Sequence, residues 1–83
     1  MNMHRVTDSR GEVHIKKTVR TYTHAVVAHL PANVTSSGGV VREASTKASW
    51  ASTHRLALRE AKRWEGKPMG FQVEVLEAER AES

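Results

Sequence analysis

An α+β fold is predicted for this chain: a small β-β-α-β domain whose three-stranded antiparallel sheet, of order 2-1-3, carries one helix on one face. Three patterns predict it. Residues 18–30, TVRTYTHAVVAHL, and 40–46, VVREAST, are rich in β-branched residues and flank a stretch of turn chemistry. Residues 50–66, WASTHRLALREAKRWEG, repeat their apolar positions with a helical period, and residues 71–77, FQVEVLE, alternate with the period of a strand.

Residues 1–12 are polar and contain Asp8, Ser9 and Gly11. They read as a flexible terminus, with a short hairpin as the alternative if Val6 pairs with Val13 or Ile15. The ordered domain is expected to span residues 13–77. Its first strand, 18–30, puts Tyr22, His24, Val26, Ala28 and Leu30 on one face and Thr21, Thr23, Ala25, Val27 and His29 on the other. Both faces are partly apolar, which suits a central strand covered by the helix on one side and by a second copy of the chain on the other. Pro31 to Gly39, PANVTSSGG, returns the chain antiparallel into the second strand.

The helix is expected to open at Ser49 or Ser52 and to stop at Gly66. At about 100° per residue, Trp50, His54, Ala57, Leu58, Ala61 and Trp64 share one arc, and Arg55, Arg59, Lys62 and Arg63 share the opposite one. Lys67-Pro68-Met69-Gly70 forces a turn, and the third strand then directs Phe71, Val73 and Val75 inward and Gln72 and Glu74 outward. A right-handed crossover sets this strand beside the first, leaving the second and third as edges. Residues 78–83, AERAES, read as an acidic flexible tail. The core is expected from Tyr22, Val26, Trp50, Leu58, Trp64, Phe71, Val73 and Val75, supported by Val19, Val27, Leu30, Val40, Val41 and Leu76.

Composition bounds what such a domain can do. Its 83 residues include no cysteine, so no disulfide framework holds it, which fits a reducing cytoplasm. MNMHRVTDSR lacks the apolar run of a signal peptide, and no stretch approaches the roughly 18 apolar residues of a membrane span. The formal charge of +4 permits an acidic partner or nucleic acid. Cations gather in residues 1–20 and 49–67, whereas Glu74, Glu77, Glu79 and Glu82 make the end acidic.

Five histidines raise the question of metal, but His24 and His29 fall on opposite strand faces and no thiol joins them, so neither a metal nor a cofactor is expected. Ser37 and Ser49 have no visible base and orienting acid, so no catalytic residue is named and no enzyme is expected. The candidate binding residues lie on the helix. Arg55, Arg59, Lys62 and Arg63 form a cationic stripe about 12 Å long, enough to span a few phosphates, and Leu56 adds an apolar contact for a protein. With no Asn, Gln or Ser among these cations to read base edges, any nucleic-acid binding is expected to be directed at the backbone.

The stretch TVRTYTHAVV at 18–27, followed by Ser49-Trp50 before an alanine-rich helix, resembles small uncharacterised accessory proteins of bacteriophages that infect actinobacteria. Tyr22, Thr23, His24 and Trp50 occupy the recurring positions, over roughly residues 18–65. HRLALREAKRW, with its second tryptophan, departs from that pattern. The resemblance implies an accessory product of the host cytoplasm that binds a host protein, and it brings no catalytic residues with it.

Overall fold

Asp8 organises the first turn of the chain. Its Oδ1 accepts the N–H groups of Arg10 and Glu12 at 2.9 and 3.0 Å, while Gly11 N–H bonds the Asp8 carbonyl at 3.0 Å. A side chain satisfying the backbone two residues ahead builds an Asx turn. Gly11 takes φ 82°, a left-handed conformation that glycine adopts freely. Gly11→Ala is expected to lower folding stability by about 1–2 kcal/mol, read from thermal unfolding, because a Cβ there is strained even in open space.

The computed structural model describes residues 1–35, 37–68 and 70–82, with the backbone only at 40, 41, 81 and 82. The turn joins β1 (Asn2–Thr7) to β2 (Val13–Thr18) in an antiparallel hairpin that pairs Thr7 with Val13, Val6 with His14 and Arg5 with Ile15. There follow β3 (His24–Leu30), β4 (Asn33–Val34), β5 (Val40–Arg42), β6 (Ser45–Ala51), α1 (His54–Glu65), β7 (Gln72–Glu77) and β8 (Glu79–Glu82). They form two three-stranded antiparallel sheets, β2-β1-β8 and β6-β3-β7, and a small β4-β5 ribbon.

The fold is α+β, but its layout is richer than one sheet with a helix. Residues 2–7 and 79–82, read from sequence as flexible ends, are β1 and β8 and pair with each other. The second strand also divides: β5 ends at Arg42, and β6 runs on to Ala51, so Trp50 belongs to a strand and not to the helix. Thr53, rather than Ser49 or Ser52, caps α1, its Oγ1 accepting Leu56 N–H at 3.1 Å.

β3 is central, as its two apolar faces require, and both faces are covered from within the chain. On one side Val26 and Ala51 meet Ala57 and Ala61 of α1, with Trp64, Val73 and Val75 packed around them. On the other, Ala25 and Val27 meet Val6 of β1, flanked by Trp50, Leu76 and Ala78. The two tryptophans thus serve opposite faces of the sheet. β1 thus covers the face of β3 expected to need a second copy of the chain.

Two expected core residues lie elsewhere. Leu58 is 51% exposed and Val19 82% exposed. Alanines at 57 and 61 let α1 sit close to the sheet, so its contact strip is narrow and Leu58 projects past the edge; Val19 falls between β2 and β3. Tyr22 is half-buried against His4 and Trp50, with ring centroids 5.4 and 6.4 Å away, and Phe71 meets Trp64 edge-on at 4.9 Å. The side chains of Val40 and Val41 lie outside the described residues.

Candidate functional site

Capping by Thr53 fixes the rotation of α1 so that Ala57 and Ala61 face the sheet. Every residue on the far side is consequently exposed: Arg55, Arg59, Lys62 and Arg63, and also Leu56 at 42%. By helical rotation the cations occupy the middle of this face, with Leu56 on one shoulder and Leu58 on the other. Arg63 leans toward Glu60 at 3.8 Å; Arg55, Arg59 and Lys62 make no ion pair among the described residues. Lys62 and Arg63 also stand in the last turn, where cations complement the helix dipole. The structure therefore keeps the five sequence-named residues on one surface and adds Leu58, which sequence reasoning had placed inside.

A second constellation was missed altogether. His4 and Val6 of β1 and Asp8, the residue just after it, follow one another at every second position and all are buried. Tyr22 N–H donates to His4 Nε2 at 3.0 Å, so that nitrogen carries the lone pair, and His4 Nδ1 lies 3.4 Å from the Lys16 carbonyl. Four residues on from His4, the Asp8 carboxylate sits between the hairpin and the main sheet. His14 Nε2 donates to its Oδ2 at 2.9 Å, and His29 Nε2 approaches the same oxygen to 4.0 Å. His29, only 3% exposed, also donates from Nε2 to Glu74 Oε2 at 2.6 Å, with its Nδ1 3.3 Å from Thr46 Oγ1. Ser9 returns from the turn to Glu74, its Oγ donating at 2.8 Å and its N–H at 3.2 Å.

Glu74 is therefore turned toward the covered second face, since it shares that face with Val27 in the β3-β7 register. Expected outward into solvent, it is instead partly enclosed by the hairpin. Residues 8, 14, 29 and 74 have no spacing that announces a cluster, and only the hairpin folding over β3 brings them together. The one local signal was the period-two run His4, Val6, Asp8, which an apolar pattern search passes over.

The network shifts both carboxyls the same way. The His14 hydrogen bond, aided by the N–H groups of Glu12 and Arg10 and the field of His29, outweighs burial and holds Asp8 below its ordinary 3.8. Burial pushes Glu74 up, but the hydrogen bonds from His29 and Ser9 prevail and leave it below 4.5. A carboxyl depressed on folding stabilises the native state above its unfolded value, and that stability is lost as pH falls through the folded value. Urea midpoints of the metal-free protein are therefore expected to hold steady down to about pH 4.5 and to fall below it. A doubly substituted Asp8→Asn, Glu74→Gln protein should show a flatter acid limb.

No family model, curated protein or solved structure matches this chain. Among the described residues, no helix is long and apolar enough to cross a membrane.

Proposed function

We propose that this protein acts without catalysis, by binding another protein through the outward face of α1. The observation that carries this reading is the pair of exposed leucines, Leu56 and Leu58, flanking four cations. Exposed leucines beside cations offer a protein partner apolar as well as charged contact, whereas a phosphate backbone offers leucine nothing. The complementary partner is an acidic surface with apolar recesses, and the resemblance to phage accessory proteins makes a host cytoplasmic protein the natural candidate. A second reading, sequence-tolerant binding of DNA or RNA, is favoured by Arg55, Arg59 and Lys62, which make no ion pair among the described residues.

Tagged protein incubated with an actinobacterial lysate, with and without nuclease, separates the two. The Leu56→Ser, Leu58→Ser variant is expected to lose its captured protein, with affinity reduced about tenfold or more, and nuclease should change nothing. Arg59→Glu with Arg63→Glu should weaken the same capture. Capture that vanishes with nuclease, falls steeply with salt and ignores the leucine substitutions belongs to the nucleic-acid reading.

A further inference from the structure

We propose that Asp8, His29 and Glu74 form a binding site for a divalent transition-metal ion, with zinc the ion that fits best. The three residues come from separate places, the turn after β1, β3 and β7, yet each brings one ligand atom, a carboxylate oxygen from Asp8 and from Glu74 and a ring nitrogen from His29, within 4.8 Å of the others. A tetrahedral ion with bonds of about 2.0–2.1 Å holds its ligand atoms about 3.3 Å apart. His29 Nε2 stands 2.6 Å from the Glu74 oxygen and 4.0 Å from the Asp8 oxygen, on either side of that value.

Each ligand is also held from behind. Asp8 Oδ1 is occupied by two backbone N–H groups, so Oδ2 is the oxygen that faces inward, and His14 steadies it. Ser9 N–H holds Glu74 Oε1 at 3.2 Å, and His29, its ring proton moved from Nε2 to Nδ1 as ligation requires, donates to Thr46 Oγ1. Outer partners of this kind set the orientation of metal ligands. Charge agrees as well: two carboxylates and a neutral imidazole around a divalent cation sum to zero, which suits residues enclosed between two sheets.

There is room for a fourth ligand. A cleft of about 180 Å³, lined by Ser9, Arg10, His29, Gln72, Val73 and Glu74, reaches the site from the side where Glu74 is 21% exposed. Water entering there completes four-coordination. The imidazole ligand favours zinc over calcium and magnesium, hard ions that prefer an all-oxygen shell.

Zinc titration of the full chain, together with the visible spectrum of its cobalt(II) form, tests the site. One zinc per chain is expected, with cobalt bands of tetrahedral intensity. Glu74→Gln and His29→Gln should each weaken zinc binding about 100-fold or more, and His14→Gln by about 10- to 100-fold, with far-ultraviolet circular dichroism retained. His54→Ala and Glu12→Gln should each bind as the parent does, since among the described residues the half-buried His24 with the exposed His54, 4.9 Å between ring centroids, and the Asp8, Glu12, His14 group are competing places for zinc. Should His29→Gln not fold, the ring signals of His29 and His24 in the unaltered protein decide: His29 must shift stoichiometrically with zinc and His24 must not. No saturable binding, full binding by folded Glu74→Gln, or loss of binding in His54→Ala or Glu12→Gln would overturn the proposal.

Discussion

Val6→Asp is expected to leave little folded protein. Val6 is 3% exposed and is the residue by which β1 meets Ala25 and Val27 on the second face of the main sheet. An aspartate there would be buried without a partner, two residues from the buried Asp8 on the same strand face. The cost is on the order of 3 kcal/mol or more, against a total stability of about 5–15 kcal/mol for a domain and the lower end of that range for one this small. Thr7→Asp, on the exposed face next door, should change stability by no more than about 0.5 kcal/mol. Urea unfolding followed by tryptophan fluorescence reads both, because Trp50 packs in the same cluster as Val6.

The second large effect concerns the other face. Ala57 is fully buried where α1 lies on Val26, and Ala57→Leu inserts a side chain where no space exists. Overpacking of this kind costs about 1–3 kcal/mol, since the helix must lift from the sheet or the leucine must leave its preferred rotamers. Leu58→Ala, by contrast, removes an exposed side chain and should stay within about 0.5 kcal/mol. If the helix instead used Leu58 as a core residue, the order of the two effects would reverse, and denaturant midpoints of the two variants would register it.

The contrast between Ala57 and Leu58 marks how far the sequence could be read. Periodicity located the helix and its outward cations, because 3.6-residue spacing is a property of any helix. It could not tell which side of a broad apolar arc touches the sheet, because that depends on how closely two alanines let the helix approach. The central strand was legible for a similar reason: unbroken apolar character over Ala25–Ala28 demands cover on both faces. What supplies the second cover was not legible, because the inward positions of β1 and the turn after it read His4, Val6, Asp8, and polar residues there look like solvated ones until their partners are in place. Trp50 was assigned to the helix since its spacing from His54 fits one, whereas β6 continues through it to pair Trp50 with Ala25. The Asp8, His14, His29 and Glu74 cluster is a product of topology alone, joined by a hairpin that folds back over a strand and by a β7 that arrives from the far end of the chain.

The β1-β2 hairpin closes the fold: it covers the second face of β3 and encloses the histidine-carboxylate cluster. Native-state amide hydrogen exchange tests it most directly. β1 and β3 are each the middle strand of a sheet, so their amides are hydrogen-bonded on both sides. The amides of Met3–Val6 and Ala25–Ala28 are expected to exchange in one slow class, opening together in global unfolding. Rapid exchange of Met3–Val6, at the rates of an open chain while Ala25–Ala28 stay protected, would contradict the account and return the second face of β3 to solvent or to another molecule.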